Sequence, residues 1–219
     1  MVSLPFLDRD DAGRQLAAAL AGYRGSHPLV LAIPRGAVPI GRVVAEALDG
    51  ELDVVLVRKL GAPGNPEFAV GAVDEHGAVL LNEYAAQVGA DDAYVRQVAQ
   101  RELALIRERR ACYRPGQPAV AVARRTVIVI DDGLATGATM VAALQAVRAQ
   151  GPARLVCAVP VAAPDSLERV PALADEHVCL APPPPFHSVG QHSLCFTGVT
   201  RAQGSALPAP PPASAARAS

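Results

Sequence analysis

Residues 126–130, Thr-Val-Ile-Val-Ile, end in four consecutive apolar side chains with no polar alternation. Successive side chains of a strand point to opposite faces of its sheet, so this run needs cover on both faces. A central strand of a parallel sheet meets that condition. Residues 28–34 (PLVLAIP), 52–57 (LDVVLV) and 154–161 (RLVCAVPV) read as further buried strands, with HVCL at 177–180 as the last. Between the first two lies AVPIGRVVAEAL, apolar at helical spacing, which gives the strand-helix-strand rhythm of a parallel sheet. Apolar residues make up 51% of the chain and aromatics only 4%, so the core must be built from Ala, Val, Leu and Ile. The expected fold class is therefore α/β, a mostly parallel central sheet flanked by helices in a Rossmann-like arrangement.

The 219 residues suffice for one large domain, placed at 1–203. Residues 204–219 hold too little large apolar content to pack and read as a disordered Pro/Ala/Ser-rich tail. Residues 10–22 predict a helix ended by Gly22. Residues 60–67, LGAPGNPE, predict an irregular loop because of their two Gly, two Pro and an Asn. FAVGAV and AVLLN read as short strands joined by a DEHG hairpin turn. A long polar helix is expected from Asp91 to about Arg110, with Arg107, Arg109 and Arg110 on a solvated surface. Helices are also expected at about 137–150 and near 164–174, and residues 182–185, four prolines, as an extended segment.

The net charge of −1, with a pI near 6.5, excludes the broad basic footprint of stable nucleic-acid binding. Cys112, Cys157, Cys179 and Cys195 form no Cys-x-x-Cys pair and read as reduced residues of a cytoplasmic protein. No apolar run approaches the roughly 18 residues of a membrane span, and the acidic N-terminal stretch does not resemble a signal peptide. His187, His192 and Cys195 match no common zinc spacing, and a fourth ligand is not evident.

The chemistry concentrates where the Val127–Ile130 run ends, in the stretch VIVIDDGLATGATM. Ligands of parallel sheets sit beyond the carboxyl ends of the strands, where Asp131 and Asp132 fall. The following helix directs free N–H groups and its positive dipole end to the same place, and Thr136 and Thr139 add hydroxyl donors. That combination suits a phosphate monoester. The two carboxylates would repel a polyphosphate unless they take something else, and a vicinal diol with an associated Mg²⁺ fits. Diol plus phosphate describes a ribose 5-phosphate. The alternative is a pair of capping aspartates before an ordinary glycine turn, although a cap needs only one such residue.

VIVIDDGLATGATM resembles the phosphoribosyl pyrophosphate (PRPP) motif of the type I phosphoribosyltransferases. FLDRDDAGRQLA, PRGAVPIG, RKLGAPGNPEFAVGAV, CAVPVAAP and PFHSVGQ are similar to successive blocks of a bacterial group within that family, over about residues 6–191. The resemblance implies that Asp131 and Asp132 hold the ribose hydroxyls and, indirectly, Mg²⁺. It implies that Ala135, Thr136, Gly137, Ala138 and Thr139 wrap the 5-phosphate. Arg35 and Gly36 would bind pyrophosphate, the other reading being a surface arginine beside a tight turn. Arg58 and Lys59, at the end of the second strand, would act as catalytic cations on a mobile loop, or else form a solvated basic pair. Glu67 lies in that loop without an assigned role.

The implied reaction is a Mg²⁺-dependent transfer of the 5-phosphoribosyl group from PRPP to a small, nucleobase-like acceptor, with release of pyrophosphate. The alternative is a PRPP-sensing regulator without transferase activity. Ala135 stands where the 6-oxopurine enzymes carry an acidic residue, which argues against those acceptors. After VGQ the chain departs from the group's pattern at 192–196, in the hood over the acceptor, so only Phe186 is a candidate for stacking on a base. A homodimer is the common state of similar proteins.

Overall fold

The computed structural model describes residues 5–168 and 172–181. The expected hood, Phe186, the His187/His192/Cys195 group, the proline run at 182–185 and the tail at 204–219 lie outside the described residues. In chain order the elements are α1 (Arg9–Ala19), β1 (Leu29–Ala32), α2 (Ala37–Leu48), β2 (Glu51–Val54), β3 (Val57–Ala62), β4 (Asn65–Asp74), β5 (Val79–Leu81), α3 (Asp92–Tyr113), β6 (Thr126–Ile130), α4 (Ala138–Arg148), β7 (Arg154–Val161), α5 (Pro164–Leu167) and β8 (Glu176–Ala181).

Five strands form one sheet in the order β2-β1-β6-β7-β8, and every neighbouring pair is parallel. The unalternating runs are covered on both sides, as their composition requires. Val30, Ala32, Ile128 and Ile130 meet Leu16 of α1 and Leu20 just after it, Ile40, Val44 and Leu48 of α2, and Ile106 of α3. Leu29, Leu31, Val127, Val129 and Leu155 meet Met140, Leu144 and Val147 of α4 on the other face. Each such side chain contributes about 1.5–3 kcal/mol by leaving water, so this two-sided core outweighs any surface ion pair. Cys157 in β7 belongs to it: burial, with the Asp131 charge nearby, pushes its thiol up to about 12, which makes it unreactive at neutral pH. No described helix is long and apolar enough to cross a membrane.

Several elements differ from expectation. The stretch 52–57 is not one strand: β2 stops at Val54, and β3 opens a separate antiparallel sheet, β3-β4-β5. The expected loop at 60–67 is mostly strand, with only 63–64 between β3 and β4. Its glycines and Pro66 are accommodated by register shifts around Gly61, where a side chain would come within 2.7 Å of the Pro66 backbone. The first helix ends at Ala19, and Gly22 falls in a following 3-10 turn. Of the expected helix near 164–174, Pro164–Leu167 is helical, whereas residues 168 and 172–174 are turn or irregular. The DEHG turn is formed as expected, with Asp74 accepting from the N–H groups of His76 and Ala78.

The largest correction concerns α3. It runs past Arg110 to Tyr113, and Arg110 is not on a solvated surface. Arg110 donates to the Asp53 carboxylate at 2.6 Å and to the Val54 carbonyl at 3.0 Å. Arg114 reaches the same carboxylate at 3.0 Å, and the Val120 N–H adds a bond of 2.9 Å. Asp53 is buried, and these donors replace the water that its carboxylate loses. Arg107 and Arg109 remain exposed. Removing Arg114 should leave part of that buried charge unmatched and cost about 3–5 kcal/mol. Removing Arg148, half-exposed in its pair with Asp175, should cost under about 1 kcal/mol. Urea unfolding of Arg114→Ala and Arg148→Ala measures the difference; equal midpoints would contradict the assignment.

Candidate active site

From β1 the chain crosses through α2 to β2 on one side; it returns, after the antiparallel sheet and α3, as β6 on the other side of β1. The helices α2 and α4 that follow β1 and β6 accordingly lie on opposite faces. This reversal opens a crevice beyond the carboxyl ends of β1 and β6, where open α/β sheets bind ligands. Residues 33–36 and 131–137 line it.

The two loops touch. A Cβ built on Gly36 would overlap the Asp132 carboxylate. Gly36 has φ −59° and ψ −39°, which any residue can adopt, so glycine is required there by the close approach of Asp132 rather than by a special backbone conformation. The preceding Pro34–Arg35 peptide is cis, and Arg35 is exposed. Ile33 continues the β1-β6 pairing through its N–H to the Ile130 carbonyl at 2.9 Å, which fixes one loop against the other.

Asp131 accepts from the Asp132 N–H at 2.9 Å. Its surroundings withdraw it from water, and the Asp132 charge lies beside it; both effects raise its pKa well above the usual carboxylate range. A pair of hydroxyl donors or a cation would favour the charged form. Among the described residues there is no group of three or more His, Cys, Asp or Glu able to hold a metal ion. Two adjacent carboxylates are oxygen donors of the kind a hydrated Mg²⁺ accepts.

Beyond the aspartates, Leu134 forms a bridge to Ala162, and Ser166 donates to the Ala135 carbonyl at 2.8 Å. Gly137 caps α4 at φ +72°, a left-handed conformation that favours glycine. Ala135, Thr136, Ala138 and Thr139 are exposed around it, and the first N–H groups of α4 have no carbonyl within the helix to bind. An anion seated here would find several aligned donors.

Arg58 and Lys59 do not lie in this crevice's two loops but in β3. Both line the cleft between the β3-β4 hairpin and α3, Arg58 half-buried and Lys59 more exposed. Arg58 is bound to the buried carboxylate of Glu102 in α3. Burial alone would raise the Glu102 pKa, but the bonds from Arg58 and Arg101 outweigh it and the result is a lowered value. Lys59 pairs with Glu67 across the hairpin at 2.8 Å. Tyr94 of α3 donates to the Gly61 carbonyl at 2.9 Å, and a cleft of about 490 Å³ separates this hairpin from α3.

Sequence reasoning missed Arg9, Ser166 and Glu102. Arg9 lies 3.5 Å from Asp132 but stands far from it in sequence, in a helix whose charges look like an ordinary amphipathic start. Ser166 and Glu102 likewise carry no local pattern that points to the site.

Residues 8–181 match the phosphoribosyl transferase domain family. Two curated Mycobacterium tuberculosis proteins, each named "Putative phosphoribosyl transferase", are 43% identical over 193 residues, covering 88% of this chain and 44% of theirs. The chain thus spans less than half the length of these curated relatives. The crystal structure of TT1426 from Thermus thermophilus is 48% identical, with a TM-score of 0.84, covering 92% of this chain and 96% of that one. On the strength of these matches, the chain belongs to the phosphoribosyl transferase domain family.

Proposed function

We propose that the chain binds PRPP with Mg²⁺ and transfers the 5-phosphoribosyl group to a small acceptor, releasing pyrophosphate, in the cytoplasm. The observation that carries this reading is the contact between Gly36 and Asp132. It joins a candidate pyrophosphate loop to a candidate ribose site, with the phosphate-binding start of α4 in the same loop as the aspartates. The names of the Mycobacterium tuberculosis relatives support the same reading.

In this scheme the turn Ala135, Thr136, Gly137, Ala138, Thr139, exposed except at Gly137, takes the 5-phosphate on backbone N–H groups and threonine hydroxyls. Asp131 and Asp132 accept hydrogen bonds from the two ribose hydroxyls and so fix the sugar ring. Arg35, held at the mouth by the Gly36 contact, meets the pyrophosphate. Bound Mg²⁺ supplies positive charge to the pyrophosphate oxygens. Displacement at the anomeric carbon asks for no protein nucleophile, so these side chains act by orienting the sugar and stabilising the departing charge. Arg58 anchors the hairpin to α3 through buried Glu102, whereas Lys59, in an exposed pair with Glu67, is the hairpin cation more easily released to join them.

The acceptor is nucleobase-like, and Ala135 leaves a 6-oxopurine without an acidic partner. Arg110 of α3 is withdrawn to Asp53, whereas Arg96, Arg101, Arg107 and Arg109 stay exposed, so the choice between transferase and regulator rests on the transfer assay.

Calorimetry of PRPP with Mg²⁺ should show binding that is lost in Asp131→Asn/Asp132→Asn; unchanged affinity would overturn the site. Pyrophosphate release across a panel of nucleobases and small amines tests transfer, and silence with PRPP still bound would favour the regulator. Gly36→Ala should displace the Asp132 carboxylate and weaken PRPP about tenfold or more, equivalent to about 1.4 kcal/mol, with little loss of thermal stability. A Gly36→Ala protein that binds PRPP normally would show the contact to be incidental.

A further inference from the structure

Arg9 belongs to none of the segments that form the crevice, yet its guanidinium reaches Asp132. Its side chain is only 13% exposed, and Nη2 lies 3.5 Å from Asp132 Oδ2. The same oxygen is the atom nearest to the position a Gly36 side chain would take. One carboxylate oxygen of Asp132 is therefore held between a guanidinium and the backbone of the Arg35–Gly36 loop.

The placement of Arg9 is built into the packing. Asp8 caps α1 by accepting from the Asp11 N–H at 2.7 Å, and Asp11 in turn accepts from the Leu7 N–H at 3.1 Å, which fixes the first turn where Arg9 sits. Gly13 lets α1 approach α2 so closely that a Cβ there would lie 2.9 Å from the Val43 Cβ. Arg42 of α2 pairs with Asp10 of α1 at 3.6 Å. Since Gly36 is the N-cap of α2, the start of α1 is registered directly against the crevice.

Two adjacent carboxylates are an obstacle to a ligand with as many negative charges as PRPP, and a fixed cation beside them reduces that repulsion. It also restricts the Asp132 side chain before the ligand arrives, so less freedom is lost on binding. We propose that Arg9 is a positioning residue of the PRPP site: it holds Asp132 in the orientation that accepts a ribose hydroxyl and offsets part of the negative charge of the pair. This rests on the PRPP reading above. It assigns to α1 a part in ligand binding that acts through Asp132 and not through the phosphates.

The test is a binding cycle by calorimetry on the full chain, with PRPP and with inorganic pyrophosphate, each with Mg²⁺. Arg9→Ala should raise the Kd for PRPP about tenfold or more while leaving that for pyrophosphate within about twofold. Arg9→Lys should recover most of the PRPP affinity. In an Asp132→Asn background, Arg9→Ala should have no further effect. Parallel weakening of both ligands, or additive losses with Asp132→Asn, would overturn the proposal in favour of a direct phosphate contact or a general structural role. If Arg9→Ala does not fold, Arg9→Gln takes its place beside Arg9→Lys, and a Gln protein that binds PRPP like the wild type also overturns it. Failure of the underlying reading looks different: Asp131→Asn/Asp132→Asn would then bind PRPP normally, whatever Arg9 does.

Discussion

The contact on which the site depends is that between the Asp132 carboxylate and the backbone of Gly36. It exists because β1 and β6 are hydrogen-bonded neighbours whose following helices leave toward opposite faces of the sheet. A parallel sheet whose connections reverse must leave a gap at that point, and side chains from both loops meet in it. The contact thus converts topology into chemistry. On the proposed reading, a pair of carboxylates, an arginine loop and a helix start serve one extended anionic ligand, which no one of these features would specify alone.

Polar groups inside the molecule are matched with comparable care. Asp53 binds Arg110, Arg114 and the Val120 N–H, tying the end of α3 and the segment after it to β2. Glu102 does the same between α3 and the hairpin through Arg58. Both carboxylates would be costly if left alone in the core. Their pairing fixes where α3 runs, and so where the hairpin carrying Lys59 stands relative to α4.

Much of this is legible in the sequence because its signal is local. The unalternating runs specify a two-sided parallel sheet, and strand, acidic pair and glycine turn lie within fourteen consecutive residues. Gly137 falls at the helix start that the sequence predicts, and its left-handed backbone explains the residue. Gly36 is marked for the site by its sequence context but for an incomplete reason, since the demand comes from Asp132, which is remote along the chain. Arg110 escapes a sequence reading because a charge on a polar helix gives no hint that it faces a buried aspartate on β2. The 60–67 segment does so because Gly and Pro weaken regular strands, whereas a hairpin with register shifts accommodates both. Arg9 and Ser166 are visible only after distant elements have been brought together.

The central claim is that one ligand spans the crevice, with its sugar on the aspartates and its two phosphate ends on different loops. A crystal structure of the chain with PRPP and Mg²⁺ tests it most directly. The account predicts the ribose hydroxyls on Asp131 and Asp132, the 5-phosphate at residues 135–139 and the pyrophosphate beside Arg35 and Gly36. A structure with the 5-phosphate elsewhere, or with the aspartates clear of the sugar, would contradict it.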